Sequence, residues 1–368
     1  MAKALQRLRA RDIDALLDWY QKNQRDFPWR ADPNPYWVWL AEIMSQQTQM
    51  ATLVPYFHRF IAKFPNVSAL ARASEQDVLA AWAGLGYYSR ARNVHRAARM
   101  IVEEHGGKFP VTVAGLLELP GVGPYTAAAV ASQCFGVGEP VWDGNVVRVC
   151  ARLEARPDAL TSEFKLEMQN ALREKMKGYD ASSFNQALME LGATICTPKL
   201  AGCPRCPVQK SCRAFDQGVV ETYPPPKPRK KTVDLRCRVH VRLRKKKGIL
   251  EAFLEKRADT HWFPRLWDFP SELGGVAQPV QVFDDNLDGA TPFGEVRHQI
   301  TNHRIFLLGN VELLLRANDS DNNSRCGRWI ALDDLAEDHP PLPLSTTARK
   351  ILKLLFQKQA ISDLPSWR

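Results

Sequence analysis

Apolar residues change their spacing once along this 368-residue chain, and that change restricts the fold more than any other feature. Upstream of Tyr223 the spacing is helical: Ile13, Leu16, Leu17 and Tyr20 fall at i, i+3, i+4 and i+7, and similar stripes recur around 53–60, 78–82 and 166–176. Gly and Pro mark the joints at Pro33 and Pro35, Gly84 and Gly86, Gly106 and Gly107, and Pro120 to Pro124. Downstream the period is two, with Cys237, Val239, Val241 and Leu243 alternating with Arg236, Arg238, His240, Arg242 and Arg244. Between the two regimes lies Tyr-Pro-Pro-Pro-Lys-Pro-Arg-Lys-Lys, stiff in its prolines and self-repelling in its charges. The pattern predicts an all-α domain over 1–215, a basic linker over 216–234, and an α+β domain over 235–368. Further strands are expected at 249–254, 304–314 and 327–331, with a closing helix at 345–357.

Charge is concentrated in the same region. The chain carries a formal +10, and the 21 residues from 227 to 247 hold eleven basic and one acidic side chain, so this stretch alone equals the net charge. A polyanionic partner suits that balance without being located by it. No run reaches the ~18 apolar residues of a membrane span, and the first twenty residues read as an amphipathic helix, so an intracellular, cytoplasmic protein is expected. Eight cysteines are too few for a disulfide scaffold, yet Cys196, Cys203, Cys206 and Cys212 fall within 17 positions. Zinc accepts four cysteines but usually in two close pairs, and only one C-x2-C exists here; iron-sulfur clusters tolerate compact, irregular spacings, so both readings stay open, with iron-sulfur ahead partly on the resemblance described below. Cys134, Cys150, Cys237 and Cys326 read as small buried hydrophobes.

Four other segments bear on chemistry. Leu119-Pro-Gly-Val-Gly-Pro-Tyr125-Thr126 precedes an alanine-rich helix; Gly121 and Gly123 permit a tight turn that leaves backbone N–H groups open to a phosphate. In this helical context the string predicts a helix-hairpin-helix over 116–134 that grips a DNA backbone without reading bases. Asp143, before Gly144 and Asn145, is by itself as well explained as a helix N-cap. Glu42 shares a helix with Val38 and Trp39, whose cover would raise its pKa, although a solvated helix glutamate is the plainer local reading. Gln46, Gln47 and Thr48 are unusual in a purely structural helix and suit wedging into stacked DNA.

Together these pieces resemble the helix-hairpin-helix DNA glycosylases related to endonuclease III, and within them the MutY-type adenine DNA glycosylases. The resemblance runs through Trp-Leu-Ala-Glu42-Ile-Met-Ser-Gln-Gln-Thr-Gln, Gly-Leu-Gly-Tyr87-Tyr-Ser-Arg-Ala-Arg-Asn, the glycine hairpin, Trp-Asp143-Gly-Asn145-Val-Val-Arg-Val, the four-cysteine loop and Leu-Trp-Asp-Phe-Pro near the C-terminus. It implies Glu42 as the acid that protonates adenine, Asp143 as the second carboxylate, and Tyr125 and Asn145 as residues that orient them. Tyr125 stands where strand-cleaving relatives carry a lysine, and Val147 stands at another lysine position, so a monofunctional enzyme without lyase chemistry is expected. The resemblance further implies a 4Fe-4S cluster on Cys196, Cys203, Cys206 and Cys212, and DNA contacts through Arg30, Gln47, Thr48, Tyr87, Gly121 and Gly123. A Nudix-like C-terminal domain would recognise 8-oxoguanine opposite adenine through Ile300, Thr301 and Asn302. The implied partner is double-stranded DNA with an A:8-oxoguanine or A:G mispair, acted on by a monomer. A glycosylase for mismatched thymine or uracil and a non-catalytic DNA-binding protein are the competing expectations. The charged stretch is expected to span the DNA backbone, with a solvated face as its alternative.

Overall fold

The computed structural model describes residues 4–226, 231–258, 266–273, 291–300, 302–314, 327–336, 340 and 342–357. By its packing the chain divides into two units, one of Met1–Ala73 with Ser89–Pro228 and one of Ser74–Tyr88 with Arg229–Arg368. The division falls inside the proline-rich segment, and a short stretch of the helical sequence groups with the later residues.

The first unit is helical. Its described helices are α1 (Ala10–Asn23), α2 (Pro28–Ala31), α3 (Pro35–Ser45), α4 (Met50–Lys63) and α5 (Val67–Arg72); after α6 (Glu75–Ala81) of the other unit come α7 (Ser89–His105) and α8 (Val113–Leu117). α9 (Pro124–Phe135), α10 (Gly144–Glu154), α11 (Ser162–Met176), α12 (Ala181–Thr194) and α13 (Arg213–Asp216) follow. Short polar side chains start several of them: Asn34, Thr112, Asp143, Thr161 and Asp180 each accept a backbone N–H of the first turn. α3 is buried nearly along its whole length, from Tyr36 through Met44. One core gathers Ile13, Leu16 and Tyr20 of α1, Val146, Val149 and Leu153 of α10, and Phe184, Leu188 and Leu191 of α12; half-buried Cys196, Cys206, Cys212 and Tyr223 pack against it.

The second unit holds a mixed sheet ordered β3-β2-β1-β6-β5, with β4 also paired to β1 and β7 to β2. The strands are β1 (Val233–Lys246), β2 (Ile249–Lys256), β3 (Trp267–Asp268), β4 (Ser271–Leu273), β5 (Thr291–Ile300), β6 (His303–Leu314) and β7 (Gly327–Ala331). β1 and β6 run parallel, from Val233 opposite His303 to Arg244 opposite Leu314, and the other described pairs are antiparallel. Cys237, Val239, Val241 and Leu243 of β1 face a core shared with Ile351, Leu352 and Leu355 of α15 (Thr346–Gln357); α14 (Leu332–Ala336) adds Leu332 and Leu335. The alternation in β1 is therefore real except at its end. Arg244, expected on the cationic outer face, is 4% exposed: it pairs with Glu251 at 2.6 Å and lies 4.3 Å from the Trp329 ring centroid, partners 7 and 85 residues away that no local pattern reveals. Lys227, Arg229, Lys230, Thr301 and Cys326 lie outside the described residues.

Candidate active site

α3 buries Glu42, 9% exposed, on a helix whose Trp39, Ile43 and Met44 are also buried. Two side chains from α9, at opposite ends of that helix, reach its carboxylate: the Tyr125 hydroxyl donates to Oε2 at 2.7 Å and Gln133 Nε2 to Oε1 at 3.3 Å. Burial raises the Glu42 pKa; the two hydrogen bonds oppose the rise, the charge of Asp143 adds to it, and Arg30 reduces it. Tyr125 is itself pushed well above the ordinary phenol value by burial and by Glu42, so it remains a neutral donor. Its hydroxyl also lies 3.5 Å from Met189 Sδ. Glu42 is therefore buried and hydrogen-bonded, and the solvated alternative is not what the fold provides.

Asp143 is the N-cap that its local sequence suggests. As the N-cap of α10 its Oδ1 accepts from the backbone N–H of Asn145 at 3.0 Å and Val146 at 2.8 Å, while Oδ2 accepts from Asn145 Nδ2 at 2.8 Å. The cap fixes the carboxylate at the positive end of a helix, where its negative charge is stabilised. Asn145 is held in turn by Arg148, whose Nη2 donates to Asn145 Oδ1 at 2.8 Å and to the Gly192 carbonyl at 2.7 Å. α12 comes close here: a Cβ at Gly192 would lie 2.6 Å from Asn145 Cβ. Two carboxylates from different helices therefore share one site, one buried with a raised pKa and one multiply hydrogen-bonded.

A second charged group adjoins the site and is not apparent in the sequence. Glu190 of α12, 1% exposed, receives Arg25 Nε at 2.6 Å and Arg30 Nη2 at 2.8 Å, and both guanidinium groups lie about 5 Å from the Phe27 ring. Burial raises the Glu190 pKa, but the two arginines outweigh it and hold the carboxyl below its usual value. Arg30 thus sits in a buried ion cluster. The only local signal was a glutamate in the apolar run Ala-Leu-Met-Glu-Leu-Gly; its partners are 160 and 165 residues away.

The glycine hairpin joins α8 to α9. Leu119 and Val122 are buried beneath it, Gly121 adopts φ +80°, and Gly123 is the N-cap of α9 with Pro124 following. A Cβ on Gly121 would lie 2.6 Å from Asn93 Cβ on α7, so both the turn and its neighbour require glycine. Gln47 and Thr48 occupy the turn between α3 and α4, with Gln47 at φ +58°. Arg90 of α7 secures this turn from beneath by donating to the Ile43, Met44 and Gln46 carbonyls. In the other unit, Tyr87 follows Gly86 with φ +46° and is 43% exposed. Ile300 packs partly into the sheet core. Asn302 Nδ2 donates to the Lys231 carbonyl at 3.0 Å, and the Asn302 carbonyl accepts from Val233 N–H at 2.8 Å.

Cys196, Cys203, Cys206 and Cys212 are half-buried free thiols on a loop containing two 3-10 turns, Cys203–Arg205 and Gln209–Ser211. Burial pushes the Cys206 thiol up to about 12, and the charges of Cys196, Cys212 and Cys203 all contribute, so the four sulfurs share one electrostatic neighbourhood. Among the described residues no group of three or more His, Cys, Asp or Glu side chains is drawn together as a site for a single metal ion. Arg152 donates to Cys196 Sγ at 3.3 Å, the kind of cationic donor that suits a thiolate. The donor set fits an iron-sulfur cluster. Of the remaining cysteines, Cys150 and Cys237 are buried as expected, whereas Cys134 is only half-buried; burial, then Glu42, pushes its thiol up to about 12.

Residues 40–175 match the family described as the HhH-GPD superfamily of base excision DNA repair proteins. A mouse protein named adenine DNA glycosylase is 44% identical over 212 residues, covering 55% of this chain and 41% of that protein, so the chain matches about two fifths of this mammalian relative's length. A Buchnera aphidicola (Baizongia pistaciae) protein of the same name is 28% identical over 350 residues, covering 92% of this chain and 96% of that one. Among solved structures, a thermostable thymine-DNA glycosylase superposes with a TM-score of 0.52 at 26% identity, covering 56% of this chain and 95% of that chain.

Proposed function

We propose that the chain, whose residues 40–175 match the HhH-GPD superfamily of base excision DNA repair proteins, is a monofunctional adenine DNA glycosylase acting on adenine opposite 8-oxoguanine, and on A:G. The observation that carries this reading is Glu42: a buried carboxyl of raised pKa, held by Tyr125 and Gln133 and within electrostatic reach of Asp143. A stacked adenine is out of reach of such a group, so the nucleotide is first flipped out of the duplex at a cost of a few kcal/mol. Gln47 and Tyr87, both at positive φ, suit residues that occupy the vacated stack. Protonated Glu42 then gives its proton to a ring nitrogen of adenine, the glycosidic electron pair leaves with the neutral base, and positive charge develops on the sugar. Asp143, fixed by its cap geometry, stabilises that cation or captures it as a transient ester. Water completes the reaction at the sugar carbon and leaves an abasic site. Tyr125 offers no amine for a Schiff base, so the strand stays intact.

We assign Cys196, Cys203, Cys206 and Cys212 to a 4Fe-4S cluster, which would supply a rigid scaffold for the loop. The glycine hairpin at Gly121 and Gly123 would hold DNA phosphates through backbone N–H groups, and the unit after the linker, from 235 on, would be the Nudix-like reader of 8-oxoguanine around 300–302. The protein would act as a monomer alongside cellular DNA in the cytoplasm. The likeness to a thymine-DNA glycosylase favours mismatched thymine as the second reading.

Base release from duplexes with A:8-oxoguanine, A:G, T:G and U:G pairs separates the two. Adenine release with an unbroken strand is expected; release of thymine or uracil alone contradicts the substrate assignment, and a borohydride-trapped adduct on a lysine contradicts the monofunctional one.

A further inference from the structure

We propose that Arg152 is a positioning residue that fastens the four-cysteine loop to the point where the chain leaves the helical unit. The inference rests on the iron-sulfur assignment above. Arg152 lies in the last turn of α10 and is 2% exposed, so its cation is committed to internal partners. Its Nε donates to the Tyr223 carbonyl at 2.9 Å, Nη1 to the Thr197 carbonyl at 2.8 Å and to Cys196 Sγ at 3.3 Å, and Nη2 to the Pro198 carbonyl at 3.2 Å. These partners belong to two segments far apart in sequence. Residues 196–198 open the cysteine loop, whereas Tyr223 is the last residue before three consecutive prolines.

A planar guanidinium can hold acceptors in several directions at once; an ammonium on a flexible stem cannot hold this fork. Three of the partners are carbonyl oxygens, which solvate a cation without neutralising it. Of its four hydrogen-bond partners, Cys196 Sγ is the one that can carry a negative charge, as a metal-bound thiolate would. Loading of the loop therefore strengthens the fork as a whole, including its hold on Tyr223. A second tie runs the same way: Leu200 N–H donates to Glu221 Oε1 at 3.1 Å, with Leu200 at φ +52° and 89% exposed. The cysteine loop and the base of the linker are thus one structural assembly, and the linker starts from a fixed point only while the loop is held.

Hydrogen exchange on the full-length protein, with iron content measured in parallel, tests this. Relative to the loaded wild type, Arg152→Lys should speed exchange of the amides at 219–223 about tenfold while the amides of α9 are unchanged. Removal of iron from the wild type should loosen 197–200 and 219–223 together, and removal from Arg152→Lys should add little at 219–223. Unchanged protection at 219–223 in folded Arg152→Lys overturns the proposal, as does a wild type whose loop loosens on iron removal while 219–223 stays protected. Should Arg152→Lys not fold, the iron-free wild type decides alone. Protein purified without iron contradicts the cluster assignment instead, and the Arg152→Lys comparison, which needs no metal, still decides the fastening.

Discussion

Glu42 shows how one residue can be a liability to the fold and an asset to the chemistry. Burial raises its pKa, so its protonated form is favoured in the folded state relative to the unfolded chain. The sign follows: the associated stability is fully present below the ordinary carboxyl value and is lost as pH rises through the elevated one. Glu42→Gln keeps the shape and removes the titration. It is expected to abolish adenine release while leaving the melting temperature equal or higher at pH 8, with the advantage shrinking as pH falls toward 4; thermal denaturation across that range checks it. At Asp143, sequence reasoning weighed a cap against a catalytic carboxylate, and the structure makes the two readings compatible. Asp143→Asn keeps an acceptor for the Asn145 and Val146 amides but loses the charge facing the sugar. Single-turnover kinetics should show base release falling by at least about a hundredfold, with a stability loss under about 1 kcal/mol.

Helices with strong periodicity and caps were legible; elements defined by remote partners were not. α1, α11 and α15 follow from their apolar stripes, and β1, β2, β6 and β7 fall where alternation and β-branched residues place strands. β3 and β4 are two and three residues long, too short for any period to register. β5 was also missed, because Thr-Pro-Phe-Gly-Glu at its start mixes a proline and a glycine into the strand; its register shifts between Pro292 and Gly294. The same limit hid the Glu190 cluster and the Arg152 fork, whose partners come from distant helices and loops. At the element scale α10 and α12 approach closely at Gly192. Gly192→Ala must push Asn145 aside, which predicts a loss of about 1 to 3 kcal/mol and slower base release than the stability loss alone explains. Denaturant unfolding and single-turnover rates on the same variant check both parts.

Across the whole molecule, the +10 charge pointed to a polyanion but not to one surface. The basic stretch is not a single patch. Lys231 lies beside Asn302 near the β5–β6 turn, whereas Lys245 to Lys247 sit at the β1–β2 turn, past the far end of β1, whose eleven steps from Val233 to Arg244 alone span about 36 Å. Arg244 between them is buried. If 300–302 reads the lesion, neutralising Arg229, Lys230 and Lys231 should lower the salt dependence of DNA affinity by about 0.9 in log–log slope for each phosphate no longer neutralised, while neutralising Lys245, Lys246 and Lys247 should leave it unchanged. Equal effects at both ends would contradict that division. The central claim is narrower: a buried, protonated Glu42 expels adenine. Its most direct test is the single-turnover rate of adenine release from an A:8-oxoguanine duplex between pH 5 and 9, for wild type and Glu42→Gln. The account predicts a wild-type rate that falls with rising pH as Glu42 loses its proton, and no measurable release by Glu42→Gln; adenine release by Glu42→Gln at the wild-type rate would contradict it.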